Sequence, residues 1–77
     1  MRIYVFINTK PGASEEVVKR IKSCVKEVVQ VDSIYGRFDA IAIIETPNLE
    51  SVNDILYKVI ETDPNIIHTE TSLALAL

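Results

Sequence analysis

Ile34-Tyr35-Gly36-Arg37-Phe38-Asp39-Ala40-Ile41-Ala42 is the stretch that decides how the rest of the chain is read. Apolar, strand-like sequence enters it from Val28 and leaves it towards Glu45, and its centre holds one of only two glycines. Gly36 is suited to the positive φ of a short hairpin connection, at no steric cost. The pattern predicts two antiparallel strands, 28–35 and 38–45, joined by a tight turn. Asp39 is the one acid between Asp32 and Glu45, and it stands where the chain re-enters apolar sequence.

Outward from this hairpin, the two flanking segments echo each other. On the N-terminal side, residues 2–8 form a nearly continuous β-branched and aromatic run, the pattern of a central strand covered on both faces. Ile3, Val5 and Ile7 belong to one layer, Tyr4 and Phe6 to the other. Thr9-Lys10-Pro11-Gly12 breaks the strand. Ser14, expected as a hydroxyl cap, starts a helix with Glu15 and Glu16 in its first turn. Val17, Val18, Ile21, Cys24 and Val25 recur at helical spacing, with Lys19, Arg20, Lys22 and Lys26 as the wet face.

On the C-terminal side, Thr46-Pro47-Asn48 ends the third strand, and Asn48 is placed to cap a second helix. Leu49, Val52, Ile55, Leu56, Val59 and Ile60 mark the apolar stripe of that helix, which Asp63-Pro64-Asn65 stops. A last strand over 66–76 puts Ile67, Thr69, Thr71, Leu73 and Leu75 on one face, and His68, Glu70, Ser72, Ala74 and Ala76 on the other.

The order is βαββαβ. With right-handed crossovers it predicts an α+β, ferredoxin-like sandwich: a four-stranded antiparallel sheet with both helices on one face, one domain over 1–77. The other sheet face has no cover from this chain and is apolar, so a second copy is its natural lid and the sandwich is expected to be dimeric.

Composition agrees with association. A chain of 77 residues buries only about 60% of its unfolded surface, yet 48% of its residues are hydrophobic. A very apolar monomeric core is the alternative. The net charge of −3, with no lysine or arginine block, opposes direct binding of nucleic acid, which needs a basic face. The single cysteine, Cys24, has no partner for a disulfide or a metal site; it reads as a buried or half-buried helix residue, with a reactive thiol as the alternative. Apolar runs are far short of the roughly 18 residues of a membrane span, and no signal peptide is visible, so the expected location is the cytoplasm.

Little in the chain suits catalysis. His68 stands in a strand with no nucleophile or acid at a motif-like distance, and the adjacent Glu15 and Glu16 point to different helix faces. There is no phosphate-binding glycine loop, CxxC or HExxH, so no catalytic residue, metal or cofactor is expected. Tyr4 and Phe6 resemble an RNA-stacking platform, but the accompanying basic motif is missing. Two places gather polar groups: the turn Tyr35–Asp39 and the strand segment Thr69-Glu70-Thr71-Ser72. Turn amides and hydroxyls suit a small carboxylate and Asp39 suits an ammonium, the two ends of an α-amino acid. The alternative is structural: Asp39 bonding amides of its own turn, and threonines as ordinary strand residues.

Tyr35-Gly36-Arg37-Phe38-Asp39, followed by alternating Ala and Ile, resembles the Gly-x-x-Asp hairpin of the Lrp/AsnC effector-binding domain, also called RAM. Thr69-Glu70-Thr71-Ser72-Leu73-Ala74-Leu75 resembles the closing strand of that domain, and Asp63-Pro64-Asn65-Ile66 its entry. The resemblance covers essentially the whole chain. It implies sheet-mediated dimers that assemble into rings, often octamers, with an amino-acid effector between dimers. By position, Tyr35, Gly36, Arg37, Phe38 and Asp39 would supply the turn of that site and Thr69, Thr71 and Ser72 the strand groups of a neighbour. Full regulators of the family carry an N-terminal helix-turn-helix, whereas here Met1 opens directly into the first strand. The resemblance therefore implies a stand-alone domain that reaches transcription through a full-length relative. A dimeric α+β barrel oxygenase and a purely structural oligomerisation module are the rival readings of the same frame.

Overall fold

The computed structural model describes residues 1–75. Its elements are β1 (Arg2–Thr9), α1 (Ser14–Cys24), β2 (Val28–Ser33), β3 (Ala40–Glu45), α2 (Leu49–Ile55), a π-helical turn (Leu56–Ile60) and β4 (Ile66–Leu73). The strands lie in the order β2-β3-β1-β4, every neighbouring pair antiparallel. This is the ferredoxin-like βαββαβ arrangement expected from the sequence, with β1 at its centre.

The alternation along β1 organises the packing. Ile3, Val5 and Ile7 are fully buried and meet Val17, Val18 and Ile21 of α1, Val52 and Ile55 of α2, and Ile60 in one core. Across the ladder, Ala42 and Ala40 stand opposite Val5 and Ile7. Their small side chains leave room for the helices to approach the sheet. Tyr4 and Phe6 point the other way, opposite Ile43 and Ile41, and all four remain half-buried. At the start of β1, Arg2 Nε donates to Glu45 Oε2 at 2.9 Å, tying β1 to β3. That hydrogen bond, with the charge of Arg2, holds the Glu45 carboxyl below its usual range.

Several local expectations are corrected. Ser14 is the first helical residue and no side chain caps α1; Ala13 is the cap. The chain enters the helix early because Gly12, at φ +77°, folds it back so that the Ala13 N–H donates to the Lys10 carbonyl at 3.0 Å. Gly12, not Gly36, is the glycine that uses positive φ. Strands β2 and β3 stop and start at Ser33 and Ala40, so residues 34–39 form a broad loop rather than a tight turn. Helix α1 ends at Cys24, which is exposed; Val25 takes the extended conformation and drops into the core in its place.

The second helix is capped as expected, Asn48 accepting from the Ser51 N–H at 2.9 Å, but it is α-helical only to Ile55. The wider turn that follows has the Glu61 N–H donating to the Leu56 carbonyl at 2.8 Å. That turn returns Ile60 to the core five residues after Ile55. In β4 a register shift opposite Asn8 and Thr9 pairs Ile66 with Thr9 and packs it against the core, leaving Ile67 64% exposed, off the face expected for it. Thr69, Thr71 and Leu73 share the face of Ile7, Val5 and Ile3, while His68, Glu70 and Ser72 share the open face. Ala76, assigned to that open face from the sequence, lies outside the described residues.

Arg20 is not part of the wet face. Its guanidinium reaches the Val59 carbonyl, the Thr62 hydroxyl and, at 3.3 Å, Asp63 Oδ2, locking α1 to the end of the π-helical turn. Asp63 is buried, and its Oδ1 accepts from the Asn65 N–H at 2.9 Å, shaping the entry to β4. Asp63→Ala leaves both donors without their acceptor and is expected to lower the unfolding free energy by about 1–3 kcal/mol, with Asp63→Asn losing less. Urea unfolding at fixed protein concentration measures both. The two glycines are separated by a matched pair: Gly12→Ala lowers the melting temperature, because alanine at positive φ is strained. Gly36→Ala leaves it nearly unchanged, since an added Cβ meets nothing within 4 Å there.

Candidate functional site

The loop 34–39 is fastened along one half and free along the other. The Ile34 N–H donates to the Asp39 carbonyl at 2.9 Å, closing the loop. The Asp39 N–H donates to the Ile7 carbonyl at 2.9 Å, and the Asp39 Oδ2 accepts from the Thr9 N–H at 2.8 Å. Asn8 Nδ2 donates to the Arg37 carbonyl at 3.1 Å. The anchors on Ile7, Asn8 and Thr9 lie at the C-terminal end of β1, where the strand outruns its partner β3 and its backbone donors and acceptors need other partners. Tyr35, at the loop's tip, is wholly exposed.

The structural alternative for Asp39 is thus present in a modified form: the carboxylate bonds an amide, but one on β1 rather than one of its own turn. Only Oδ2 is engaged; Oδ1 takes no hydrogen bond from the described residues. Phe38 packs on Phe6 with ring centroids 5.2 Å apart. The Arg37 guanidinium lies 5.6 Å from the Phe38 ring centroid, and its Nη2 stands 3.9 Å from Glu70 Oε1. His68 Nε2 is 3.7 Å from the same carboxylate oxygen. The exposed Arg37–Glu70 pair is water-screened and holds the loop only weakly.

The second polar segment is divided by strand alternation. Thr69 pairs with Ile7 and so lies across β1 from Asp39, at the same end of the sheet. Thr71 pairs with Val5 on the helix side, and Ser72 with Tyr4 on the open side, both further along the strand. One chain therefore gathers Tyr35, Gly36, Arg37, Phe38 and Asp39 at one end of the sheet, with Phe38 and Arg37 on the open face; Thr69 lies at that end but on the helix-facing side, as does Thr71 further along, and Ser72 is on the open side. Beside Thr69 a cleft of about 170 Å³ opens between Ile60, Glu61, Ile66, Ile67 and His68. The roles of Asn8, Thr9 and Glu70 around the loop escape a reading of the sequence, because they depend on how far β1 extends past β3. Among the described residues no cluster of His, Cys, Asp or Glu is arranged to hold a metal ion.

The model of the Lrp/AsnC ligand binding domain family matches residues 2–76. The chain belongs to this family. No curated protein matches its sequence, but solved structures do. Hypothetical protein PHS023 from Pyrococcus horikoshii is 25% identical, with a TM-score of 0.90 over 99% of this chain and 90% of its own. FFRP-DM1 is 26% identical, with a TM-score of 0.89 over 96% of this chain and 97% of its own. Transcriptional regulator NMB0573 from Neisseria meningitidis, solved in complex with L-Met, is 9% identical, and the likeness is one of fold. It matches with a TM-score of 0.83 over 97% of this chain but only 49% of its own.

As a Lrp/AsnC ligand binding domain, the chain is an effector-binding type of module from transcription regulation, and its Gly-x-x-Asp loop is held by the contacts described above. No helix among the described residues is long and apolar enough to cross a membrane. The fastening of the loop has a measurable consequence. Asp39→Ala strands the Thr9 N–H and is expected to cost about 1–3 kcal/mol, whereas Asp39→Asn keeps an acceptor for it and costs less. Chemical denaturation of the two variants side by side tests the assignment, and equal losses would contradict it.

Proposed function

We propose that this single domain, spanning residues 1–77, binds an amino acid at a seam between copies of itself and serves the regulation of amino-acid metabolism. Its role is non-enzymatic. The observation that carries this reading is the half-committed carboxylate of Asp39: Oδ2 is pinned by Thr9 at 2.8 Å, which leaves Oδ1 for an ammonium group. Arg37, the loop amides of Tyr35–Phe38 and the hydroxyls of Thr69, Thr71 and Ser72 are the groups suited to the ligand carboxylate. Within one chain these hydroxyls are spread over both sheet faces, so completing the site falls to a neighbouring copy. The half-buried apolar face of Tyr4, Phe6, Ile41 and Ile43 favours a sheet-to-sheet dimer, and the exposed loop tip favours a further contact that closes dimers into a ring such as an octamer. DNA contact falls to a full-length Lrp/AsnC-type regulator with which the domain assembles, in the cytoplasm. The family membership and the L-Met complex of NMB0573 support an amino acid as the ligand class.

A thermal-shift panel of the amino acids, run beside light scattering, tests the proposal. One or a few amino acids are expected to raise the melting temperature. At one hundred times the dissociation constant the gain is about 2.7 kcal/mol, or about 10–20 °C for a domain of this size. Asp39→Asn removes the shift while remaining folded. Silence across the panel at millimolar concentration, from a correctly assembled protein, would leave a structural oligomerisation module. Turnover of a quinol or polyphenol would instead establish the oxygenase-like reading.

A further inference from the structure

The outward face of α2 and the π-helical turn carries a second feature, which shares only Glu61 with the cleft beside Thr69. Glu50, Asp54, Tyr57 and Glu61 are all exposed along this segment, and the last three line one groove. None of the three carboxylates is in an ion pair among the described residues. Beside them lies a groove of about 360 Å³ lined by Asn53, Asp54, Leu56, Tyr57 and Glu61. Tyr57 is 71% exposed and Leu49, one turn before Asn53, is 52% exposed. Leu56 and Tyr57, which line the groove, belong to the wide turn Leu56–Ile60, and such turns occur frequently at functional sites.

We propose that this face docks a cationic amphipathic helix of another polypeptide. Apolar side chains of that helix enter the groove against Leu56 and Tyr57, while its Lys or Arg side chains meet Asp54 and Glu61, which line the same groove. The pairing follows from charge complementarity, and it also selects among occupants. Helix α1 of a second copy offers Lys19, Lys22 and Lys26 but exposes no large apolar side chain to fill the groove. An anionic membrane surface is repelled by the same three carboxylates.

The full chain is titrated into a fluorescein-labelled synthetic helix with Leu and Lys at three- and four-residue spacing, read by fluorescence anisotropy at low salt. Saturable binding of one peptide per chain is expected. Asp54→Lys and Glu61→Lys each weaken it tenfold or more, and Tyr57→Ala weakens it several-fold. Glu16→Lys on α1 makes the same change in net charge away from the groove and leaves the affinity within twofold. All four positions are exposed, and circular dichroism checks that each variant is folded. Absence of binding, or an equal loss from Glu16→Lys, overturns the proposal, the second by showing a non-specific charge effect. A smaller assembly by light scattering for Asp54→Lys without peptide overturns it in favour of a second copy.

Discussion

Strand β1 must be covered on two faces, and the chain supplies cover for only one. Ile3, Val5 and Ile7 are fully buried beneath α1, α2 and the π-helical turn. Each such side chain, removed from water, contributes about 1.5–3 kcal/mol, and Ala40, Ala42 and Ile44 of β3 are buried beside them against the same helix layer. Tyr4 and Phe6, alternating with them, are left half-buried beside Ile41 and Ile43. A small sheet with helices on one side has no further element to place there. The apolar face that follows from this geometry is the physical reason for expecting assembly.

The same strand positions the loop. Because β1 runs to Thr9 while β3 begins at Ala40, the last backbone groups of β1 lack ladder partners. Asp39 supplies them, accepting from Thr9 and donating its own N–H to Ile7. In the proposed site, the oxygen held by Thr9 also orients the other oxygen of Asp39. Fixing the carboxylate before any ligand arrives lowers the ordering cost of binding. The loop tip is the reverse case: Tyr35 and Gly36 make no anchoring contact and carry whatever contacts neighbouring molecules provide.

Ion pairs distribute themselves by burial. Arg20 and the buried Asp63 join α1 to the approach of β4, a link that also orders the turn at Asn65. Arg37 and Glu70, 3.9 Å apart and largely in water, tie the loop to β4 only loosely. The frame is therefore tied more firmly than the loop edge.

Periodicity determined the element order, the core face of β1 and most of the core faces of the two helices, because two- and 3.6-residue repeats record which side of an element is dry; residue type marked the cap at Asn48, and a family resemblance marked the Gly-x-x-Asp loop. Local details needed the folded chain. Gly36 and Gly12 are equally permissive as letters, and only the path of the backbone shows that Gly12 uses positive φ. Cys24 has helical spacing, yet the helix ends there and Val25 takes the core place. Arg20 reads as one more surface cation until the end of the π-helical turn comes within reach. The bulge that exposes Ile67, and the pairing of Asp39 with Thr9, depend on strand register. Register is set by contacts between segments distant in sequence, which no repeat within a single segment records.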